Sequence, residues 1–403
     1  MIILSNDYPS SVPGSGFKVE GGPARFTKDF SNFLVENGHK WVGIILQSEK
    51  DDFIKKVFTD SKKDFYYINT NKTSLENLVT LSESDTPEVF LADEIDKLVV
   101  FFKEIKPDLF FLNGFSFYAW MFFYAAIQAG IPVVAKHSGV FVKEIDAYKH
   151  LFTDTARNLC IEMEKSTGEK AQANIFLNNH SIKYFKEETG LDKINNPIVI
   201  PLSYPDCNFP KDEFINDKID KKEKVFGVVA RWDKIKNHGA ILALAKEIKN
   251  QNLPWKIRAV TRIPNTSKDK EFKDEYKDFI EVLPLMSRGQ LNDFYKTLDF
   301  LLLPSHFETA GTVVMESLSV GVPTIISPHV GWVDEYNKFK MHDWIMDFSD
   351  PKKVIDNIKN IINIEKWTEV GEFAKYVKKC HNPQVVYNSY LDVFSKVAIS
   401  KSV

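Results

Sequence analysis

The segment from Pro304 to Ser327 constrains this chain most. It reads Pro-Ser-His-Phe-Glu-Thr-Ala-Gly-Thr-Val-Val-Met-Glu-Ser-Leu-Ser-Val-Gly-Val-Pro-Thr-Ile-Ile-Ser, with Glu308 and Glu316 eight positions apart. The apolar run Phe300 to Leu303 leads in, and a glycine-containing turn follows Glu308. A helix-like stretch carries Glu316, and Gly321-Val-Pro323 stops it before Thr324-Ile-Ile326. The order is therefore strand, loop, helix, turn, strand. It sets both carboxylates near the carboxyl-terminal edge of a sheet, where open α/β sheets bind ligands. Taken alone, two glutamates at this spacing are usually a solvated face and a chance neighbour.

The rest of the chain supplies the sheet. At 403 residues it exceeds what one hydrophobic core organises, so two domains are expected. Ile2–Leu4, Trp41–Leu46, Leu109–Leu112, Ile131–Ala135, Ile175–Leu177 and Ile198–Ile200 are apolar runs with helical patterns between them. Phe26, Phe30, Phe33 and Leu34 line one helical face, closed by Asn37-Gly38. A second alternating series starts at Val225 and includes Trp255–Val260 and the Phe300 and Thr324 runs. Between them the chain turns polar and charged. The expected organisation is a Rossmann-like domain over 1–205 and a linker over 206–222. A second Rossmann-like domain follows over 223–382, and a final amphipathic helix over 383–403. Strands separated by helices imply parallel, doubly wound sheets, with a ligand cleft expected between the domains.

Composition narrows the function classes. A net charge of −3 gives no electrostatic case for nucleic acid. Cys160, Cys207 and Cys380 are too few and too far apart for a disulfide framework or a metal site, which fits a reducing compartment. The N-terminus lacks the basic region and apolar core of a signal peptide. Leu109 to Ile127 has no charged residue, yet Asn113, Gly114 and Ser116 interrupt it. It reads as a strand, a turn and a buried helix near Phe117–Ala129, since about 20 apolar residues only just suffice to span a bilayer.

Several blocks beside the glutamate segment fall in one order. Val228-Val-Ala-Arg-Trp-Asp-Lys-Ile-Lys-Asn-His238 follows a strand and precedes a helix. Gly21-Gly22 precedes the Phe26 helix, and His137 stands just beyond a strand end in Ala135-Lys-His-Ser-Gly139. Together with Phe279-Ile-Glu-Val-Leu-Pro-Leu-Met286, these blocks resemble family 4 of the retaining GT-B glycosyltransferases. The donor-site signature has Ser317 where the family has Ala, and the arginine–lysine block has Ala230 where Gly is frequent. Pro284 replaces the usual Gly, and Asn113 stands where the family often has His.

The resemblance implies a GT-B fold of two Rossmann-like domains facing a central cleft, with the C-terminal helix crossing back to the first domain. It assigns the donor diphosphate to Arg231, Lys236, Gly21, Gly22, Gly311, Thr312 and Val313. Fixed cations and helix N-termini can neutralise a leaving diphosphate, so no metal or other cofactor is expected. Glu316 would bind the ribose, Leu285 and Met286 the nucleobase, and Glu308 and His137 the transferred sugar, as the catalytic pair. The implied activity is metal-independent transfer of a hexose-type sugar from a nucleoside diphosphate, UDP first and GDP second. The acceptor would be a glycan, a lipid-linked species or a small molecule. The expected location is the cytoplasm, with peripheral contact at the inner membrane face left open. A nucleotide-sugar epimerase of the same architecture, or a non-catalytic subunit, stays open as an alternative.

Overall fold

The computed structural model describes residues 1–17, 21–48, 52–81, 86–145, 152–204, 222–362 and 364–399. They divide into two compact units, Met1–Ser203 with Gln384–Val403, and Tyr204–Pro383. The expected linker at 206–222 lies outside the described residues except for Lys222.

The first unit is built on an eight-stranded sheet. Its strands are β1 (Ile2–Asn6), β2 (Lys40–Gln47), β3 (Ile54–Thr59), β4 (Lys63–Asn69), β5 (Leu109–Asn113), β6 (Val133–His137), β7 (Ala173–Phe176) and β8 (Pro197–Val199). They lie in the order β3-β4-β2-β1-β5-β6-β7-β8. All neighbours run parallel except β3 and β4, which form an antiparallel edge hairpin. β3 contains no apolar run, so the sequence pattern misses this hairpin although β4 carries the short run 65–68. β3 leaves Lys55 and Lys56 exposed, and lysines blunt a sheet edge. Asp60 Oδ1 closes the turn by accepting the N–H groups of Lys62 and Lys63 at 2.7 and 2.6 Å.

The Leu109–Ile127 stretch resolves into β5, a turn at Gly114, and a helix over Phe117–Gln128. Ser116 caps that helix by accepting the Ala119 N–H, and the helix is buried in the core. No helix among the described residues is long and apolar enough to cross a membrane. The Phe26 face of the Gly21–Glu36 helix packs against the final helix, Pro383–Ile399. Phe30 and Phe394 have ring centroids 5.6 Å apart, and Phe111 and Phe394 5.0 Å. The C-terminal helix thus belongs to the first unit's core, as expected.

The second unit carries a five-stranded parallel sheet in the order β11-β10-β9-β12-β13. The strands are β9 (Lys224–Val229), β10 (Trp255–Val260), β11 (Glu281–Leu283), β12 (Phe300–Leu303) and β13 (Thr324–Ile326). Phe226 and Phe300 stack at 5.4 Å across β9 and β12. The strand order reverses between those two strands, and in open α/β sheets ligands bind at the carboxyl ends of the strands at such a switch point.

Candidate active site

The loop after β9 is shaped from within. Asp233 accepts the Lys236 N–H at 3.2 Å and caps a short 3₁₀ turn, Lys234–Lys236. Asn237, at φ +55°, ends the turn and donates its side-chain amide to the Pro304 carbonyl at 3.1 Å. The His306 N–H reaches the Ile235 carbonyl at 2.8 Å. These two bonds clamp the β9 loop onto the β12 loop. At the base of the loop, His238 is buried and stacks on Trp232 at 4.4 Å. Its Nε2 faces the Arg231 carbonyl at 2.9 Å and its Nδ1 faces the Tyr276 hydroxyl at 3.1 Å. Burial lowers its pKa and keeps the ring neutral. A carbonyl can only accept, so Nε2 carries the proton and Nδ1 accepts from Tyr276.

The clamp brings Lys236 and Glu308 together as an ion pair, their side chains 14% and 20% exposed. Glu308 is held through its backbone as well. Its N–H donates to the His329 carbonyl at 3.1 Å, and its own carbonyl accepts from Gly331 at 2.8 Å. Its Oε1 takes the Gly311 N–H at 3.3 Å. Gly311 is required there. It sits at φ +53°, and an added Cβ would lie 3.0 Å from Leu303 Cδ2 and 3.2 Å from Glu308 Cγ. Trp332 Nε1 donates to its carbonyl at 3.3 Å. Directly after it, Thr312 and Val313 open the Thr312–Leu318 helix half-exposed. The N–H groups of a helix's first turn have no intrahelical acceptor.

Glu316 lies further along that helix, half-buried, and its Oε2 accepts the Tyr295 hydroxyl at 2.7 Å. Ser317, the departure from the family's Ala, is buried with its hydroxyl 2.8 Å from that of Thr324. Leu285 is 65% exposed in the loop after β11, while Met286 packs half-buried on the core below. Arg231 is the most open of the site residues, its side chain 76% exposed and loosely paired with Asp233 at 3.4 Å.

In the first unit two expectations change. His137 is the last residue of β6, not a loop residue, and it is 1% exposed. It stacks on Phe176 at 4.5 Å and meets the edge of Phe185 at 4.7 Å. The Asn174 amide nitrogen donates to the carbonyls of Gly168 and Asn195, which turns its oxygen toward His137 Nε2 at 2.9 Å. Nε2 therefore carries the proton, and Nδ1 is left without a hydrogen-bond partner. Burial lowers the ring's pKa to about 4. Gly21 and Gly22, expected in a loop, form the first turn of the Gly21–Glu36 helix. The structure thus joins Lys236, Glu308 and Gly311 directly. It places Arg231 on the same β9 loop as Lys236, Glu316 on the helix that follows Gly311, and Leu285 on the loop after β11.

Sequence reasoning missed Asn237, Asp233 and Tyr295, which hold the site residues without standing out by charge or spacing. It also missed Lys136, buried beside His137. Its Nζ lies 3.5 Å from the Phe26 ring centroid and donates to Asn113 Oδ1 at 3.3 Å.

Residues 210–379 match the family model described as glycosyl transferases group 1. The chain is 24% identical over 216 residues to the putative glycosyltransferase EpsF of Bacillus subtilis, covering 51% of this chain and 54% of that protein. It is 24% identical over 227 residues to sucrose synthase 1 of Zea mays, covering 47% of this chain and 27% of that one. The matched stretches thus span about half of these curated relatives or less. Among solved structures, sucrose-phosphate synthase from Thermosynechococcus elongatus superimposes with a TM-score of 0.70 at 15% identity, covering 99% of both chains. HepE of Anabaena, solved in complex with UDP and glucose, gives 0.63 at 12% identity, covering 98% of this chain and 100% of that one. The fold is that of the GT-B glycosyltransferases. The matched domain and the glycosyltransferase relatives support a transferase.

Proposed function

We propose that the protein is a retaining, metal-independent glycosyltransferase of family 4 that uses a nucleoside diphosphate hexose, UDP first and GDP second. The observation that carries the reading is the Lys236–Glu308–Gly311 arrangement at the β9/β12 switch point. It sets a fixed cation beside a carboxylate that backbone bonds prevent from swinging away. A leaving diphosphate gains negative charge as the bond to the anomeric carbon breaks. Lys236, held in place, stabilises that charge with little reorganisation, and the more exposed Arg231 adds to it. The acceptor oxygen bonds to the anomeric carbon on the departing face, and its proton passes to the diphosphate oxygen. Glu308 lies on the sugar side of Lys236, where its charge favours the positive anomeric carbon. Solved neighbours carry UDP with glucose, and UDP-2-fluoro glucose, which supports the nucleotide-sugar donor.

Gly21, Gly22, Thr312 and Val313 remain assigned to the phosphates by resemblance, and His137 to the sugar. The proposed acceptor is a glycan, a lipid-linked species or a small molecule, and the proposed location is the cytoplasm. A thermal-shift panel of UDP, GDP, ADP and their sugars tests the donor. A ligand at a hundred times its dissociation constant should stabilise by about 2.7 kcal/mol. Product analysis with the stabilising donor tests the reaction. Release of sugar with retained anomeric configuration is expected. A free epimeric sugar would make the protein an epimerase, and binding without turnover a non-catalytic subunit.

A further inference from the structure

Tyr295 belongs to the Arg288–Lys296 helix, and its ring is 1% exposed. The ring packs in a cluster with Phe294, Leu298, Leu301 and Val320. Its hydroxyl is its one polar group, and it leaves this core to donate to Glu316 Oε2. Glu316 is half-buried, so that bond is shielded from water and fixes the carboxylate's rotation. A carboxylate has about four acceptor positions, and Tyr295 occupies one. Oε1 stays available to a ligand. Burial and the Glu316 charge both push the phenol's acidity away from neutrality, so Tyr295 remains a donor.

We propose that Tyr295 is a positioning residue for ribose recognition: it anchors Glu316 Oε2 so that Oε1 meets the ribose hydroxyls. The inference rests on the reading of Glu316 as the ribose acceptor. A long acidic side chain without an anchor spreads over several rotamers, and ligand binding must then order it. Tyr295 acts through Glu316 alone, so its loss weakens only what Glu316 recognises.

The test uses the full chain and whichever of UDP, GDP and ADP the wild type binds most tightly, with its 2′-deoxy counterpart. Calorimetry gives both dissociation constants for the wild type, Tyr295→Phe, Glu316→Ala and the double variant. Phenylalanine keeps the ring that the core packs around, and melting temperatures report any structural loss. Tyr295→Phe should weaken the ribonucleotide by up to about tenfold, the cost of ordering one freed side chain, and weaken the deoxynucleotide less. In the Glu316→Ala background the same change should do nothing further. If Glu316→Ala collapses the ribose preference and Tyr295→Phe lowers only the melting temperature, Tyr295 is a packing residue and the proposal is wrong. If Glu316→Ala itself leaves the preference intact, the ribose reading fails first and takes this inference with it.

Discussion

Two lysines end up at the carboxyl edges of the two sheets, in opposite surroundings. Lys136, on β6, is 1% exposed and meets an aromatic ring and an amide oxygen. Lys236, after β9, keeps 14% exposure and meets a carboxylate. The first environment disfavours charge, and burial lowers the Lys136 pKa to about 7. His137 beside it is pushed the same way, to about 4. The second environment is built to hold charge of both signs. Burying a charge is costly unless it is paired. The difference therefore separates a sheet edge that keeps its basic groups close to neutral from one that keeps a paired cation and carboxylate.

The largest expected effect breaks the comparison on the first side. Between pH 7 and 10.5 the unfolded chain holds the Lys136 proton and the folded chain does not. Stability therefore rises with pH across that window, and the penalty is full below it. Lys136→Met should stabilise the first unit at neutral pH by on the order of 3 kcal/mol, an advantage that fades toward pH 10. His137 works with the same sign lower down, with stability falling as pH drops from 6.5 to about 4. Denaturant titrations of both proteins at several pH values measure this. A constant difference between variant and wild type would show that Lys136 is not buried as a strained base.

On the second side, Lys236→Ala removes a charge-assisted contact to the diphosphate, worth roughly 1.5–3 kcal/mol of nucleotide affinity. It also leaves Glu308 without its cation, so binding of the bare nucleoside is the control. Equal losses for nucleoside and nucleoside diphosphate would contradict the phosphate assignment. Glu308→Gln acts differently from Lys236→Ala because the two side chains are paired. The amide no longer competes for Lys236, so affinity for the bare nucleoside diphosphate should hold or rise. Turnover at saturating donor should fall at least tenfold, about 1.4 kcal/mol of barrier. Reduced affinity with normal turnover would place Glu308 at the wrong end of the substrate.

The local geometry of the candidate residues was more legible in the sequence for the second unit than for the first. Lys236, Glu308 and Gly311 announce themselves because a charged pair and a positive-φ glycine need particular residue types at particular places. From sequence alone the apolar run stops at Ala135, which sets His137 beyond the strand end. In fact β6 runs on through Lys136 and His137, where Asn113 meets the Lys136 amine, Asn174 meets His137 Nε2, and aromatic rings far away in sequence cover both side chains. The β3–β4 hairpin was invisible for a related reason. An edge strand with one wet side carries lysines rather than an apolar run. Tyr295 was missed because a buried phenol within an amphipathic helix looks like core until its hydroxyl partner is known.

The smallest effect sharpens the comparison within the second unit. Sequence reasoning gives Arg231 and Lys236 equal parts in holding the diphosphate. Their surroundings differ. Lys236 is clamped between two loops, whereas Arg231 is 76% exposed and pairs with Asp233 at 3.4 Å. An exposed cation is screened by water and salt, and it loses side-chain entropy when a ligand fixes it. Arg231→Ala should therefore cost only about 0.2–1 kcal/mol of nucleotide affinity, less than Lys236→Ala. Its cost should shrink further between low and high salt, while that of Lys236→Ala changes less. Calorimetric titration of both variants at two ionic strengths measures the contrast. If Arg231→Ala proves as costly as Lys236→Ala and equally indifferent to salt, the β9 loop closes over the diphosphate on binding. The difference between the two cations would then be one that ligand binding removes.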